Sequence, residues 1–403
     1  MKILLLCKKF PYPLKDGESI AVHTLSRALS DLGCEVSLLA MNTSKHFYKS
    51  STYPAEASHF KTIRTVAVDN QLKASAAFFN LFSEESYHIS RFVSQSFEQT
   101  LAEMLQAENY DIVQLETLYL APYIPIVKAK SQALVSMRAH NVEHEIWERI
   151  TSHTTNGLKR WYLSHLTKKL RRFETQALHH YDILLPITER DLRYFRSLGC
   201  QTPAVVTPIG ISAEKFTQAA PLKYQKPSIS FIGSLDWMPN LEGLEWFIQQ
   251  VWPMILKEFP QLELHIAGRN TPKSLLQLKK PNLFVHGEVP DSATFINQHP
   301  MMIVPLLSGS GMRAKILEGM ALGKAVISTS IGLEGISATH REDVLIANTP
   351  DQYVENLRYA LASDQRLSAI GQQAQRFVCE EYASLNIASR VMEAYTNHLV
   401  ETV

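Results

Sequence analysis

Cysteine is scarce in this 403-residue chain. Its four copies, Cys7, Cys34, Cys200 and Cys379, are widely spread with no C-x-x-C pair. That excludes a disulfide framework and a C-x-x-C zinc site, and it suits reduced thiols in a cytosolic protein. No apolar run approaches the ~18 residues a membrane-spanning helix needs. The opening M-K-I-L-L-L-C has one lysine and is too short for a signal-peptide core, so it reads as a buried first strand. Charge of one sign is also lacking. The net charge of +1 gives no whole-molecule attraction to nucleic acid. There is neither an internal repeat nor a low-complexity tract. With 45% hydrophobic and 20% charged residues the composition is ordinary for a globular protein, and the length implies two domains, three at most.

Residues 1–215 hold 25 Lys and Arg against 21 Asp and Glu, so the small positive excess sits in the N-terminal half and the remainder is slightly acidic. Short apolar strands alternate with helical patterns there: strands at 2–7, 35–41, 61–68, 111–116, 133–138 and 182–188, helices at 19–32 and 86–107. Gly33 ends the first helix at the position where glycine is favoured. The segment 202–228 carries four prolines and no long periodicity, and its second half reads as an interdomain linker. The pattern then restarts. Strands are expected at 228–234, 262–268, 283–289, 301–307, 325–330 and 343–348. Helices are expected at 240–258, 312–322, 350–363, 366–380 and 384–400. The fold class is α/β, with two doubly wound parallel sheets in tandem. The domains are residues 1–215 and 216–383, the C-terminal helix 384–403 joining the first. Such sheets bind ligands beyond the carboxyl ends of strands, at the point where strand order reverses. That directs attention to 8–18, 116–120, 138–144, 233–240, 268–271, 287–291 and 307–313.

The stretch P-L-L-S-G-S-G-M-R-A-K-I-L-E-G-M-A-L-G-K (305–324) carries the strongest signal. A strand end runs through Ser308, Gly309, Ser310, Gly311 and Met312 into a helix. Free N–H groups and the helix dipole make that terminus favourable for an anion such as phosphate. Arg313 and Lys315 add positive charge, and Glu318 lies one turn on. A solvated helix with a Lys315–Glu318 ion pair at i,i+3 spacing is the alternative.

This stretch resembles the donor-site signature of the retaining GT-B glycosyltransferases of family 4. Other pieces follow in the same order. Asp16-Gly17 resembles the glycine-rich loop after strand one, and S-R-A-L-S-D-L-G-C-E-V (26–36) resembles L-x-x-x-G-H-x-V. His140 matches the N-domain active-site histidine. P-I-G-I-S-A-E-K-F (208–216) resembles the interdomain segment, followed by F-I-G-S-L (231–235), I-A-G (266–268), V-H-G-E-V-P-D (285–291) and I-L-E-G-M-A-L-G-K-A-V-I-S-T (316–329). The resemblance covers nearly the whole chain. It implies two Rossmann-like domains facing across a cleft, with the N-terminal one taking the acceptor. It implies donor contacts from Gly17, Gly233, Ser234, Gly268, Glu288, Ser310, Gly311, Met312 and Glu318, with His140, Arg313 and Lys315 as catalytic residues. His140 would donate to the donor sugar or a phosphate, although a lone histidine at a strand end is more often structural. Ser310 stands where the family's first E-x7-E acid would be. Ser234 and Asn240 stand at or near the places of an Arg and a Lys. A subset of the family carries G-S-G-x-R-x-K-x-L-E, so Arg313 and Lys315 restore two cations from the neighbouring loop.

The implied activity is transfer of a sugar from a nucleoside-diphosphate sugar to a glycan or lipid-linked acceptor, with retention and without metal or other cofactor, as in bacterial polysaccharide biosynthesis. No D-x-D flanks a strand, in keeping with this. The other readings are a sugar-nucleotide epimerase and a catalytically silent nucleotide-sugar-binding protein. A dehydrogenase is disfavoured, because no G-x-G-x-x-G follows 2–7 or 228–233. Acceptor loops are expected at 42–60, 69–88 and 117–121. His140, Glu143 and His144 form an H-x-x-E-H string, but no further ligand cluster accompanies them. A helix start capped by Asn141, with Glu143 and Glu145 near its positive end, suffices. Residues 158–180 hold Lys159, Arg160, Lys168, Lys169, Arg171 and Arg172 on an amphipathic helix with Trp161. That pattern suits either contact with an anionic membrane or a domain-surface helix whose apolar face joins the core. The expected location is cytoplasmic, peripheral at the inner face of the plasma membrane if the first holds.

Overall fold

The computed structural model describes residues 1–14, 16–44, 47–49, 52–71, 80–212, 227–309 and 311–402. The chain divides into two compact units, Met1–Gly210 with Ile387–Val403, and Ile211–Asn386. In unit 1, strands β1 (Lys2–Cys7), β2 (Glu35–Thr43), β3 (Thr62–Val68), β4 (Ile112–Leu115), β5 (Leu134–Ala139) and β6 (Ile183–Pro186) form one sheet in the order β3-β2-β1-β4-β5-β6. Its pairings are parallel. Its helices include α1 (Gly17–Asp31), α2 (Glu143–Ser152), α3 (Gly157–Ala177) and α4 (Glu189–Ser197). Strand β1 shows why its sequence is apolar throughout. Leu4 and Leu6 join the cluster on one face of the sheet, Ile3, Leu5 and Cys7 the cluster on the other.

Unit 2 repeats the plan. Strands β7 (Ser228–Ile232), β8 (Glu263–Ala267), β9 (Leu283–Gly287), β10 (Met301–Val304), β11 (Ala325–Ser328) and β12 (Leu345–Ile346) pair in parallel in the order β12-β11-β10-β7-β8-β9. Helix α5 (Met238–Trp246) follows β7, and α6 (Ala314–Ala321) follows β10. Both sheets have the doubly wound order, and strand order reverses between β1 and β4 in one and between β7 and β10 in the other. The last helix, α7 (Ser384–Thr402), buries Ile387, Ala388, Val391 and Tyr395 in the cluster that contains Ile3 and Leu5.

Some expected elements differ. The helix expected over 86–107 is broken into Tyr87–Ser90 and Gln95–Ala107. The Tyr123 hydroxyl accepts from Ser94 N at 2.8 Å and donates to Phe92 O at 2.7 Å, and Ser94 caps the second piece. The strand expected over 343–348 shortens to two residues because Asp343 closes a turn, accepting from Thr339 N at 2.9 Å. Most of the expected linker, 213–226, lies outside the described residues. All four cysteines are free thiols.

Unit 2 also holds three neighbouring histidines. His265 Nδ1 and His286 Nε2 are 3.0 Å apart, and the His265 and His299 rings are 4.4 Å apart. Burial lowers all three pKa values, His299 to about 3 with help from the other two. A histidine depressed in the folded state gives stability that is present above about pH 6.5 and lost as pH falls through the window below it. We predict that denaturant stability drops from pH 7.5 to 5.5, with His299 contributing about 1.4 kcal/mol of the loss. A His299→Gln variant should show a flatter pH dependence by that amount.

Candidate functional site

The carboxyl ends of β7 and β10 bring unit 2's polar groups together. After β7 the chain passes through Gly233, Ser234, Leu235, Asp236 and Trp237 into α5. Leu235 is buried, and its N–H donates to Arg269 O at 2.9 Å. Pro239 in the first turn of α5 suits a helix start, and Asn240 behind it is buried. Lys315, in the first turn of α6, reaches across from β10's side. Its Nζ donates to Ile232 O at 3.1 Å and to Asn240 Oδ1 at 2.7 Å, while Asn240 Nδ2 donates to Ser234 O at 2.9 Å. The ammonium lies 4.9 Å from the centre of the Phe231 ring. Burial, then the nearby Arg313, push the Lys315 pKa down to about 7. A Cβ on Gly233 would sit 3.0 Å from that Nζ, and one on Gly268 would sit 2.1 Å from Gly233 O. Gly268 is therefore required by the close approach of the Gly233 carbonyl, and Gly233 leaves room for the Asn240 and Lys315 side chains.

Arg313 is buried at the N-cap of α6, with its guanidinium 5.3 Å from the Trp237 ring centre and Nη1 donating to Gly311 O. Gly309 and Gly311 have φ of 110° and 84°, a region that favours glycine. Met312 is buried, and Ser310 lies outside the described residues. Ser234 Oγ donates to Asp236 Oδ1 at 2.6 Å. Glu318 makes no ion pair with Lys315. Its Oε1 accepts from Ser292 Oγ at 2.8 Å, and burial raises its pKa. Ser292 opens the short helix Ser292–Asn297 that follows the loop after β9, which begins with the exposed Glu288, so this hydrogen bond ties the start of that helix to α6. Gly233, Ser234, Gly268, Gly311, Met312, Arg313 and Lys315 thus share one end of the sheet around the β7/β10 reversal. Glu318 and Glu288 belong to its β9 side.

In unit 1 the same end of the sheet gathers charge. Gly17 opens α1 behind Asp16, whose Oδ1 caps Ser19 N at 3.0 Å. Lys8 Nζ is 3.1 Å from Glu18 Oε2. Burial alone would raise the Glu18 pKa, but Lys8, Lys9 and His140 outweigh it and hold it low. His140 Nε2 is 2.9 Å from Oε2 of Glu116, the residue after β4, and Glu116 is buried. The H-x-x-E-H string does not converge. Glu143 accepts from the Tyr119 hydroxyl at 2.9 Å, with burial raising its pKa, and His144 lies between Glu174 and Tyr194 of α4. The start of α2 is capped neither by Asn141 nor by its N-cap Val142. Glu174 of α3 accepts from Glu143 N at 2.9 Å and His144 N at 3.0 Å. Among the described residues, no group of His, Cys, Asp and Glu is arranged to hold a metal ion.

Helix α3 buries Leu163, Leu166, Leu170 and Ala177, so its apolar face joins the core. Lys169 is buried too, donating to Asn80 O and Ser83 O. The start of the helix is different: Leu158 is 79% and Trp161 60% exposed. Trp161 lines an open groove of about 790 Å³ together with Arg160, Lys168, Arg171 and Glu148. No helix among the described residues is long and apolar enough to cross a membrane.

Two parallel six-stranded Rossmann-type sheets define the GT-B class of fold, and comparison with known proteins agrees. Residues 16–215 match the family described as Glycosyltransferase Family 4, and residues 226–363 that described as Glycosyl transferases group 1. The chain belongs to these glycosyltransferases. An uncharacterized 44.6 kDa protein in the cps region of Klebsiella pneumoniae is 24% identical, across 97% of this chain and 99% of that protein. Sucrose-phosphate synthase from Thermosynechococcus elongatus shares the fold with a TM-score of 0.71 at 15% identity over 100% of both chains. Anabaena HepE in complex with UDP-glucose does so with a TM-score of 0.63 at 11% identity, over 98% of this chain and 100% of that one. A Rickettsia africae glycosyltransferase has a TM-score of 0.65 at 13% identity, over 99% and 98%.

Glu116, Lys8 and Glu18 carry no motif in the sequence, and Glu143 enters it only through the H-x-x-E-H string and as an acid at a helix start. Glu116 carried a usable signal, since it is an acid ending a buried strand inside a strand-end loop already under consideration. The half-buried pairing of Lys8 with Glu18 and the burial of Glu143 depend on contacts no local pattern reveals.

Proposed function

We propose that the protein transfers a sugar from a nucleoside-diphosphate sugar to a glycan or lipid-linked acceptor, with retention of configuration and without a metal ion. The observation that carries this reading is the Lys315 ammonium, 2.7 Å from Asn240 Oδ1. It brings positive charge to the position where the family's lysine is replaced, and Arg313 adds a second cation in the same loop. A diphosphate leaving group taken there meets these two charges and the start of α6, which supply the stabilisation a metal would otherwise give. UDP-glucose in the HepE complex supports the same donor class for this chain. Gly233, Ser234, Gly268, Gly311, Met312 and Glu318 are proposed donor contacts of unit 2, and Gly17 and His140 are proposed substrate-binding residues of unit 1. Unit 1 takes the acceptor.

A panel of uridine, guanosine and adenosine diphosphate sugars, with chelator present, tests the donor site. The matching nucleotide at ~100 times its dissociation constant should add about 2.7 kcal/mol of stability. Lys315→Met should weaken its binding by about tenfold or more while leaving the circular dichroism unchanged, because a charge-assisted contact is worth about 1.5–3 kcal/mol. Stabilisation without turnover over any acceptor would favour a silent binder. No stabilisation by any nucleotide would remove the donor site.

The proposal includes a lipid-linked acceptor met at an anionic membrane. Its support is the exposed Leu158 and Trp161 beside Lys159, Arg160, Lys168 and Arg171, since apolar anchors rimmed by cations suit an interface. The protein should sediment with vesicles containing anionic lipid and not with neutral ones. Changing Lys159, Arg160 and Lys168 to Gln together with Trp161→Ala should abolish this. Wild-type protein remaining in the supernatant with anionic vesicles would end the membrane assignment.

A further inference from the structure

A continuous line of hydrogen bonds runs from the C-terminal helix to His140. Tyr395 of α7 is fully buried, and its hydroxyl is 2.7 Å from Gln114 Oε1 and 2.9 Å from Ser136 Oγ. The single phenolic proton goes to Gln114 Oε1, and Ser136 donates to the phenolic oxygen. With Oε1 so occupied, Gln114 turns its amide nitrogen to Glu116 Oε1. The other carboxylate oxygen, Oε2, is 2.9 Å from His140 Nε2 and 3.8 Å from Arg138 Nη1. Arg138 is itself fixed, with Nη1 donating to Ala21 O at 2.7 Å and Nη2 to Pro208 O at 3.3 Å. Glu116 thus accepts from the Gln114 amide and has a fixed cation, Arg138, 3.8 Å away, and an ionised carboxylate has no proton to give His140 Nε2.

We propose that Glu116 is a positioning residue, held by Gln114 and Tyr395, that fixes His140 as the Nε2–H tautomer. A ring nitrogen that donates to a carboxylate keeps its proton, so the neutral ring has only Nδ1 left for substrate. Nδ1 then accepts a hydrogen bond from a sugar hydroxyl and donates nothing unless the ring gains a second proton. This refines the role expected for His140 from donor to acceptor. The arrangement lies along β4 and β5, beside the β1/β4 strand-order reversal of unit 1: Gln114 on β4, Glu116 just beyond it, Ser136 on β5 and His140 just after it. The inference rests on the proposed role of His140 in transfer, but its primary test does not.

Two-bond 1H–15N correlation on histidine-labelled protein, with His140 assigned by its loss in His140→Asn, reads the tautomer directly. Wild type should show the proton on Nε2. Glu116→Gln presents an amide that can donate to Nε2, and should move the proton to Nδ1 in part or in full. Tyr395→Phe keeps the ring packing and should give a mixture, so the test survives if Glu116→Gln fails to fold around Arg138. A proton on Nδ1 in wild type, or a tautomer unchanged in both variants, overturns the proposal. Turnover with the nucleotide sugar that most stabilises the protein gives the second readout. For Glu116→Gln, kcat should fall about tenfold or more with donor KM within about twofold, as for other losses of a tautomer-setting partner. Full turnover in His140→Asn would remove the role of His140 itself. An inactive His140→Asn beside an unimpaired Glu116→Gln would remove only the inference about Glu116.

Discussion

Unit 2's site depends on a lysine ammonium taken out of water and seated on a backbone carbonyl and one amide. Desolvation costs the charge dearly, and the hydrogen bonds from Lys315 to Ile232 O and Asn240 Oδ1 offset only part of it. The pKa therefore comes down to about 7. The neighbouring architecture follows from that seat. Gly233 leaves room for Nζ, Gly268 leaves room for the Gly233 carbonyl, and Asn240 is fixed by Ser234 O on its other side. A lysine so placed is held near the midpoint of its titration, where an incoming anion has most influence over its charge.

The two units apply one strand order to different ends. In each, the carboxyl ends of the two strands at the order reversal hold the polar groups, because the apolar strands themselves are buried on both faces. Unit 2 gathers cations there, Lys315 and Arg313. Unit 1 gathers carboxylates, Glu18, Glu116 and Glu143, with Lys8 and His140 among them.

The α/β class and the tandem sheets were legible because buried parallel strands write themselves as short apolar runs, as in K-I-L-L-L-C and A-V-I-S. Gly33, with its φ of 89°, marked the end of α1 for the same physical reason it was chosen. Arg313 and Lys315 were legible as cations at a strand end, but their partners were not. An i,i+3 rule pairs Lys315 with Glu318, whereas the fold sends the lysine to Asn240, 75 residues away, and the glutamate to Ser292. The cap on α2 was misplaced for a similar reason. Asn141 has the right chemistry and position, but Glu174 brings a charged acceptor from another helix. Tyr395, 281 residues from Gln114, has no local signature at all.

The proposed function requires Lys315 to hold a nucleoside diphosphate sugar at the β7/β10 reversal. Calorimetric titration with the best-stabilising nucleotide sugar, at pH 8 in two buffers of different ionisation enthalpy, tests it most directly. A lysine with a pKa near 7 is mostly neutral at that pH, and a diphosphate would bind it protonated. Wild type should take up nearly one proton per ligand, about 0.9, and Lys315→Met should take up none and bind more weakly. Equal affinity in the two proteins, with no proton taken up by either, would contradict it.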